Sequence, residues 1–160
     1  MASRDIIMAG ILLFFFGLGF FVIHYVVGSV VDQMVGIGEI NQSNTTVSVL
    51  DGVKSFTNRL DYIVLAVFIG MILGIIITGW FIAGNAIFTL IYFIVVVIVV
   101  VASTIFANVW ETISQASVFG ATIANFPILN HLLSYFPIYI SVIGVAGLIV
   151  MFAKPYIVQE

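Results

Sequence analysis

The sequence predicts an all-α integral membrane protein with four transmembrane helices and short interfacial amphipathic helices. Three observations predict it. Four long apolar stretches, Ile6–Val31, Tyr62–Ala83, Ala86–Phe106 and Pro137–Ala153, occupy much of the 160 residues. The four Lys and Arg and the seven Asp and Glu all lie outside them. The stretches are apolar on every face and lack the alternation of membrane β-strands, so helices are the remaining way to satisfy the backbone in lipid. Hydrophobic residues make up 63% of the chain and charged residues 7%, where a soluble domain carries about 25% charged. A bilayer core about 30 Å thick needs about 20 residues at 1.5 Å each. The first three stretches reach that length, and the fourth reaches it by borrowing Tyr135 and Phe136. No linker or low-complexity tract divides the chain, so residues 1–160 read as one membrane domain. The two helix pairs differ in length and connection, which disfavours an inverted-repeat transporter.

The first stretch, 6–31, follows Ser3-Arg4-Asp5 and exceeds one crossing, so a tilt or a protruding end is expected. It is too long for a signal-peptide core and no small-x-small site follows it, so it reads as a retained anchor. Gly10 and Gly17 lie seven apart on one face, which predicts close backbone contact there. The polar loop 32–61 comes next. Its first part, 36–46, is rich in turn residues and reads as irregular. Ser48-Val-Leu-Asp51 then matches a capping box. Val49, Val53, Phe56 and Leu60 follow at helical spacing, with Lys54, Asn58, Arg59 and Asp61 mostly off the stripe. This predicts an amphipathic helix on the membrane surface that runs into the second span.

In the second span (62–83), Ala66, Gly70, Gly74 and Thr78 recur every four residues. Small side chains at that spacing make a flat groove for another helix. Trp80 marks an interface, and Gly84-Asn85 predicts a tight turn into the third span. The third span (86–106) contains Phe93-Ile-Val-Val-Val-Ile-Val-Val-Val101, without a small or polar residue, and reads as lipid-facing. Ser103, Thr104 and Asn108 give it a polar end that predicts helix–helix hydrogen bonds. The segment 107–136 is too polar to span and too apolar to leave the membrane. It predicts two short interfacial helices, the second opening at Phe126-Pro127. The fourth span (137–153) carries Ser141, Gly144 and Gly147 as a small-residue face and ends at Lys154-Pro155.

Four spans place both termini on one face. Lys54 and Arg59 on the loop face match Arg4 and Lys154 on the other, so the positive-inside count is tied. Five acidic residues (Asp32, Glu39, Asp51, Asp61 and Glu111) lie on the loop face, while Asp5 and Glu160 accompany the termini. The balance favours termini inside and loops outside, where Asn41 and Asn44 match glycosylation acceptor patterns.

The chain has no cysteine, so disulfides and thiolate metal sites within it are excluded. The net charge of −3 comes without a basic cluster, which disfavours nucleic acid as a partner. Apart from tyrosines, His24 is the only ionisable side chain within a span, and such a group is a functional candidate by default. Beside Tyr25 near the end of a long helix, it reads first as a neutral, hydrogen-bonded residue at the interface. His131 reads as a polar-face residue. His24, Glu111 and His131 all belong to the loop end, yet no pair shares a helix turn as metal ligands would. No carboxylate sits mid-span, no arginine ladder appears, and polar stripes for a water-filled pore are missing. The expected task is that of a non-catalytic structural subunit of a larger membrane assembly. It needs no cofactor, and its partners are the bilayer and other membrane chains, including copies of itself. An accessory transmembrane subunit of an enzyme complex and a small holin-like channel are the alternatives.

The C-terminal half carries a resemblance. Asn108-Val-Trp110-Glu111, Phe126-Pro127, Asn130, Phe136-Pro137, an apolar span and Lys154-Pro155 resemble the small membrane proteins of tailless, membrane-containing icosahedral viruses of microbes. The resemblance implies a virion membrane component packed beneath capsid protein chains, with no catalytic residue to transfer.

Overall fold

The long apolar runs fold as helices because a helix satisfies each backbone group internally. The structure, a computed structural model, describes residues 2–82 and 86–157. The helices are α1 (Ala2–Val35), α2 (Gly38–Asn41), α3 (Asn44–Asn58), α4 (Leu60–Ile82), α5 (Ala86–Ser114), α6 (Gly120–Ile123), α7 (Pro127–Ser134) and α8 (Phe136–Ile157), with a 3-10 turn at Ser117–Phe119 before α6. No strand occurs among the described residues. Four segments are long and apolar enough to cross a membrane: Ile7–Val35, Asn44–Phe81, Ile87–Ser114 and Phe136–Ala153. The Gly84-Asn85 turn and Glu160 lie outside the described residues, as do the side chains of Arg4, Asp5, Asn41 and Lys154.

Several boundaries differ from the sequence reading. The segment 36–46 is largely helical, and α3 begins four residues before the Ser48-Asp51 pattern. Ser43 is its cap: the Ser43 Oγ accepts the Thr46 backbone N–H at 3.4 Å and the Thr46 hydroxyl at 2.9 Å. A serine hydroxyl at the N-cap satisfies an orphan donor, and Ser43 does so first along the chain. α3 turns into α4 at Arg59, whose backbone stays in the right-handed helical region, so the pair forms one nearly continuous rod. α5 continues to Ser114 rather than ending near Phe106, which leaves less chain for interfacial helices. α8 passes through Lys154-Pro155 to Ile157.

α5 packs most extensively against α8, while α1 and α4 pack on each other and α4 also touches α8. The α5–α8 seam is close because α8 presents glycines. A Cβ at Gly144 would collide with Val96, and one at Gly147 with the Tyr92 ring. Tyr92, Val96, Val99 and Ser103 form the buried stripe of α5, whereas Ile94, Val97, Ile98 and Val101 face outward. The β-branched run is therefore exposed on one side and packed on the other. Gly17 of α1 gives room to Leu129 of α7 in the same way.

Among the described residues, Ser103, Thr104 and Asn108 at the polar end of α5 make no helix–helix side-chain hydrogen bond. Ser103 donates to the Val100 carbonyl and Thr104 to the Val101 carbonyl, both at 2.7 Å, and Asn108 offers its carbonyl to the Thr112 hydroxyl at 3.0 Å. Hydroxyls in a helix reach their own preceding turn without needing a neighbour.

Candidate functional site

Among the described residues the polar chemistry gathers at the loop end, where α7 is tied to the long helices. Phe126, the residue at the N-cap of α7, offers no side-chain cap, and Pro127 has no N–H to satisfy. The next two donors are met from far along the chain. Asp61, at the start of α4, accepts the Ile128 N–H at 2.9 Å and the Leu129 N–H at 2.8 Å, one on each carboxylate oxygen. The Asn130 N–H then closes onto the Phe126 carbonyl at 2.9 Å. Every donor of the first turn is thereby accounted for. A carboxylate suits the site because the helix N-terminus carries partial positive charge. Asp61 is only 3% exposed, so this pairing is what makes its burial tolerable.

Trp110 supplies the second tie. Its ring is fully buried, and its Nε1–H donates to Asn130 Oδ1 at 3.0 Å. Phe21 of α1 lies at the centre of the surrounding aromatic cluster, with ring centroids 5.2 Å from Trp110, 5.3 Å from Phe119 and 5.9 Å from Phe126. Its edge-on contacts are the favoured aromatic geometry. His24, one turn further along α1, is buried and stands edge-on to Phe126 at 5.0 Å. Its Nε2 faces the Asn125 amide nitrogen at 3.4 Å. Lys54 of α3 binds Asp32 of α1 at 2.7 Å in an exposed ion pair.

No family model, curated protein or solved structure matches the chain. Function is therefore argued from these contacts and from the faces left open.

The sequence candidates separate in space. Of the three polar candidates, His24 alone is inside. Glu111 is exposed and accepts from Gln115 at 3.1 Å. His131 is exposed and lies against Tyr135, with ring centroids 4.9 Å apart. Among the described residues no group of three or more His, Cys, Asp or Glu side chains has the geometry to hold a metal ion. The small-residue candidates also divide. Gly144 and Gly147 are buried against α5, and Ser141 returns its hydroxyl to the Pro137 carbonyl at 2.7 Å. Ala66, Gly70 and Gly74 point outward; a Cβ at either glycine would meet no atom within 4 Å. Thr78 donates to the Gly74 carbonyl at 2.7 Å.

The sequence reading missed Asp61, Asn125 and Asn130 as fastening residues. One signal pointed to an acceptor such as Asp61: a helix opening at Phe126-Pro127 with no capping side chain must find its acceptor elsewhere. The chemistry of the arrangement is attachment. Its charges and amides are spent on backbone donors and on one another.

Proposed function

We propose that this protein is a multi-pass structural subunit of a larger membrane assembly, with its termini inside and its loop end outside. One observation carries the reading: the Ala66, Gly70 and Gly74 face of α4 stays open while the protein's own helices pack through other surfaces. In lipid, helices associate through close packing and hydrogen bonds rather than a hydrophobic drive, so a smooth small-residue face favours a neighbouring helix. The same face continues along α3, whose Val49, Val53 and Phe56 are exposed. α3 meets α1 instead through Lys54 and Thr57. The partners of this reading are other membrane chains or copies of this one. Where the C-terminal resemblance holds, the setting is a virion membrane and the outer neighbours are capsid protein chains.

Isolation from its source in mild detergent, followed by mass spectrometry of the accompanying chains, tests this. Co-purifying membrane or capsid chains, or a defined oligomer, are expected. Haem- or metal-bearing neighbours would place the chain in an enzyme complex, and a lone monomer would remove the proposal. Gly70→Leu and Gly74→Leu are expected to abolish the association while the monomer still folds, because both positions face open space.

A further inference from the structure

A polar cleft of about 540 Å³ opens at the loop end of α1, lined by α1, by Lys54 of α3 and by the segment through Asn125. Four other clefts are lined mainly by apolar side chains. His24 lines this one and is 4% exposed. The Asn125 amide nitrogen that faces His24 Nε2 also donates to the Ala121 carbonyl at 3.4 Å. With the amide so oriented, Nε2 accepts, and a neutral ring carries its proton on Nδ1. That Nδ1 is buried and the Thr57 backbone of α3 serves the ring, so His24 forms the wall of the cleft.

We propose that this cleft binds the phosphoethanolamine headgroup of a phospholipid. The phosphate is taken by Lys54 and the ammonium by Asp32. Charge selects this class. Lys54 and Asp32 together are neutral, so a zwitterion exchanges one ion pair for two. A purely anionic headgroup would take Lys54 and strand the Asp32 carboxylate. Asp32 already holds one primary ammonium at 2.7 Å, a hydrogen-bonded geometry that a quaternary amine cannot reproduce.

Depth selects a lipid over a soluble phosphate. Counted from Ile7, about 20 residues of α1 cross the bilayer core, which puts Gly28–Gln33 at headgroup level. Tyr25 lines the cleft at the boundary where aromatic belts lie. Val22, Val26 and Val30 are exposed on α1, leaving apolar flank for the acyl chains. The proposal shares only the bilayer with the assembly reading and is measured on a single chain, so either can fail without the other.

The test is native mass spectrometry of the full chain in detergent with equal amounts of phosphatidylethanolamine, phosphatidylcholine and phosphatidylglycerol. Preferential retention of phosphatidylethanolamine is expected. Lys54→Gln and Asp32→Asn are each expected to lower that retention about tenfold, the worth of one hydrogen bond to a charged group. Asp51→Asn, on the exposed side of α3, is expected to leave it unchanged. Equal retention of all three lipids, a preference for phosphatidylglycerol, or retention untouched by both variants would overturn the proposal. Competition by acyl-free glycerophosphoethanolamine at the same concentration would move the ligand to the aqueous phase and overturn the lipid assignment.

Discussion

Asp61 carries the largest consequence of any single charged residue described here. Its two oxygens hold two backbone donors that have no other acceptor. Asp61→Asn keeps the size but offers one acceptor where two are needed, and turns an NH₂ toward the other N–H. The expected loss is about 2 kcal/mol, the scale of a charge-assisted bond lost beside a donor left unpaired in a buried site. Chemical unfolding in detergent measures it, and amide exchange at Ile128 and Leu129 is expected to quicken before that of α8. Trp110 makes a smaller case. Trp110→Phe removes the bond to Asn130 Oδ1, whose other partner is the Ser134 hydroxyl at 3.5 Å, so about 1 kcal/mol plus lost ring contact is expected. A double-mutant cycle with Asn130→Ala is expected to be non-additive, because both changes delete the same bond. Neither role is legible from the residue itself. Asp61 looks like any acid at a membrane rim, and Trp110 like an interfacial anchor. The uncapped Phe126-Pro127 start shows that an acceptor must come from elsewhere, but chain separation hides which one.

At the level of elements, two glycine patterns that look alike in sequence have opposite fates. Gly144 and Gly147 on α8 are filled by Val96 and Tyr92, while Gly70 and Gly74 on α4 face outward. Gly144→Ala must push a branched side chain that has no slack, so a loss of about 1–3 kcal/mol is expected, the usual cost of overpacking. Val96→Ala makes the space again; the pair Gly144→Ala with Val96→Ala is expected to recover part of the loss in thermal unfolding. Gly70→Ala is expected to be neutral or slightly stabilising in the isolated chain, since Ala is the better helix former by about 1 kcal/mol. A period-four row of small residues predicts close approach and is silent on the partner. The same limit applies to α5. Its Phe93–Val101 run reads as lipid-facing because nothing in it is small or polar, yet Val96 and Val99 are buried. Val96 is the projection that Gly144 of α8 receives. The four apolar segments were legible from length and composition alone. Ends were less so: several weak caps compete, as Ser43 does with Ser48 at the start of α3.

For the whole molecule, length decides the shape that a bilayer would impose. The candidate spans contain 29, 38, 28 and 18 residues in chain order, against about 20 needed for one crossing. Phe81 and Ile87 are close in sequence, so the second and third spans share a level at the end nearer the termini. The surplus of the first three therefore falls at the loop end, where α3, the end of α5, and α7 are pinned by Asp61, Trp110 and the Asp32–Lys54 pair. In the proposed placement this end stands out of one side of the membrane as a small cap. The chain has no cysteine, so single cysteines can be read without background. Glu39, Ser48 and Gln115 are exposed at the loop end, and Leu73 and Ile77 are exposed on α4 within its apolar span. In sealed vesicles, Glu39→Cys, Ser48→Cys and Gln115→Cys are expected to react with a membrane-impermeant maleimide from the same side. Leu73→Cys and Ile77→Cys are expected to stay unlabelled until detergent is added. Labelling of Gln115→Cys from the side opposite Ser48→Cys would break the four-crossing arrangement, because two spans, α4 and α5, must separate those positions. Rapid aqueous labelling of Leu73→Cys would instead mean that α4 lines water, and would favour the channel over the scaffold.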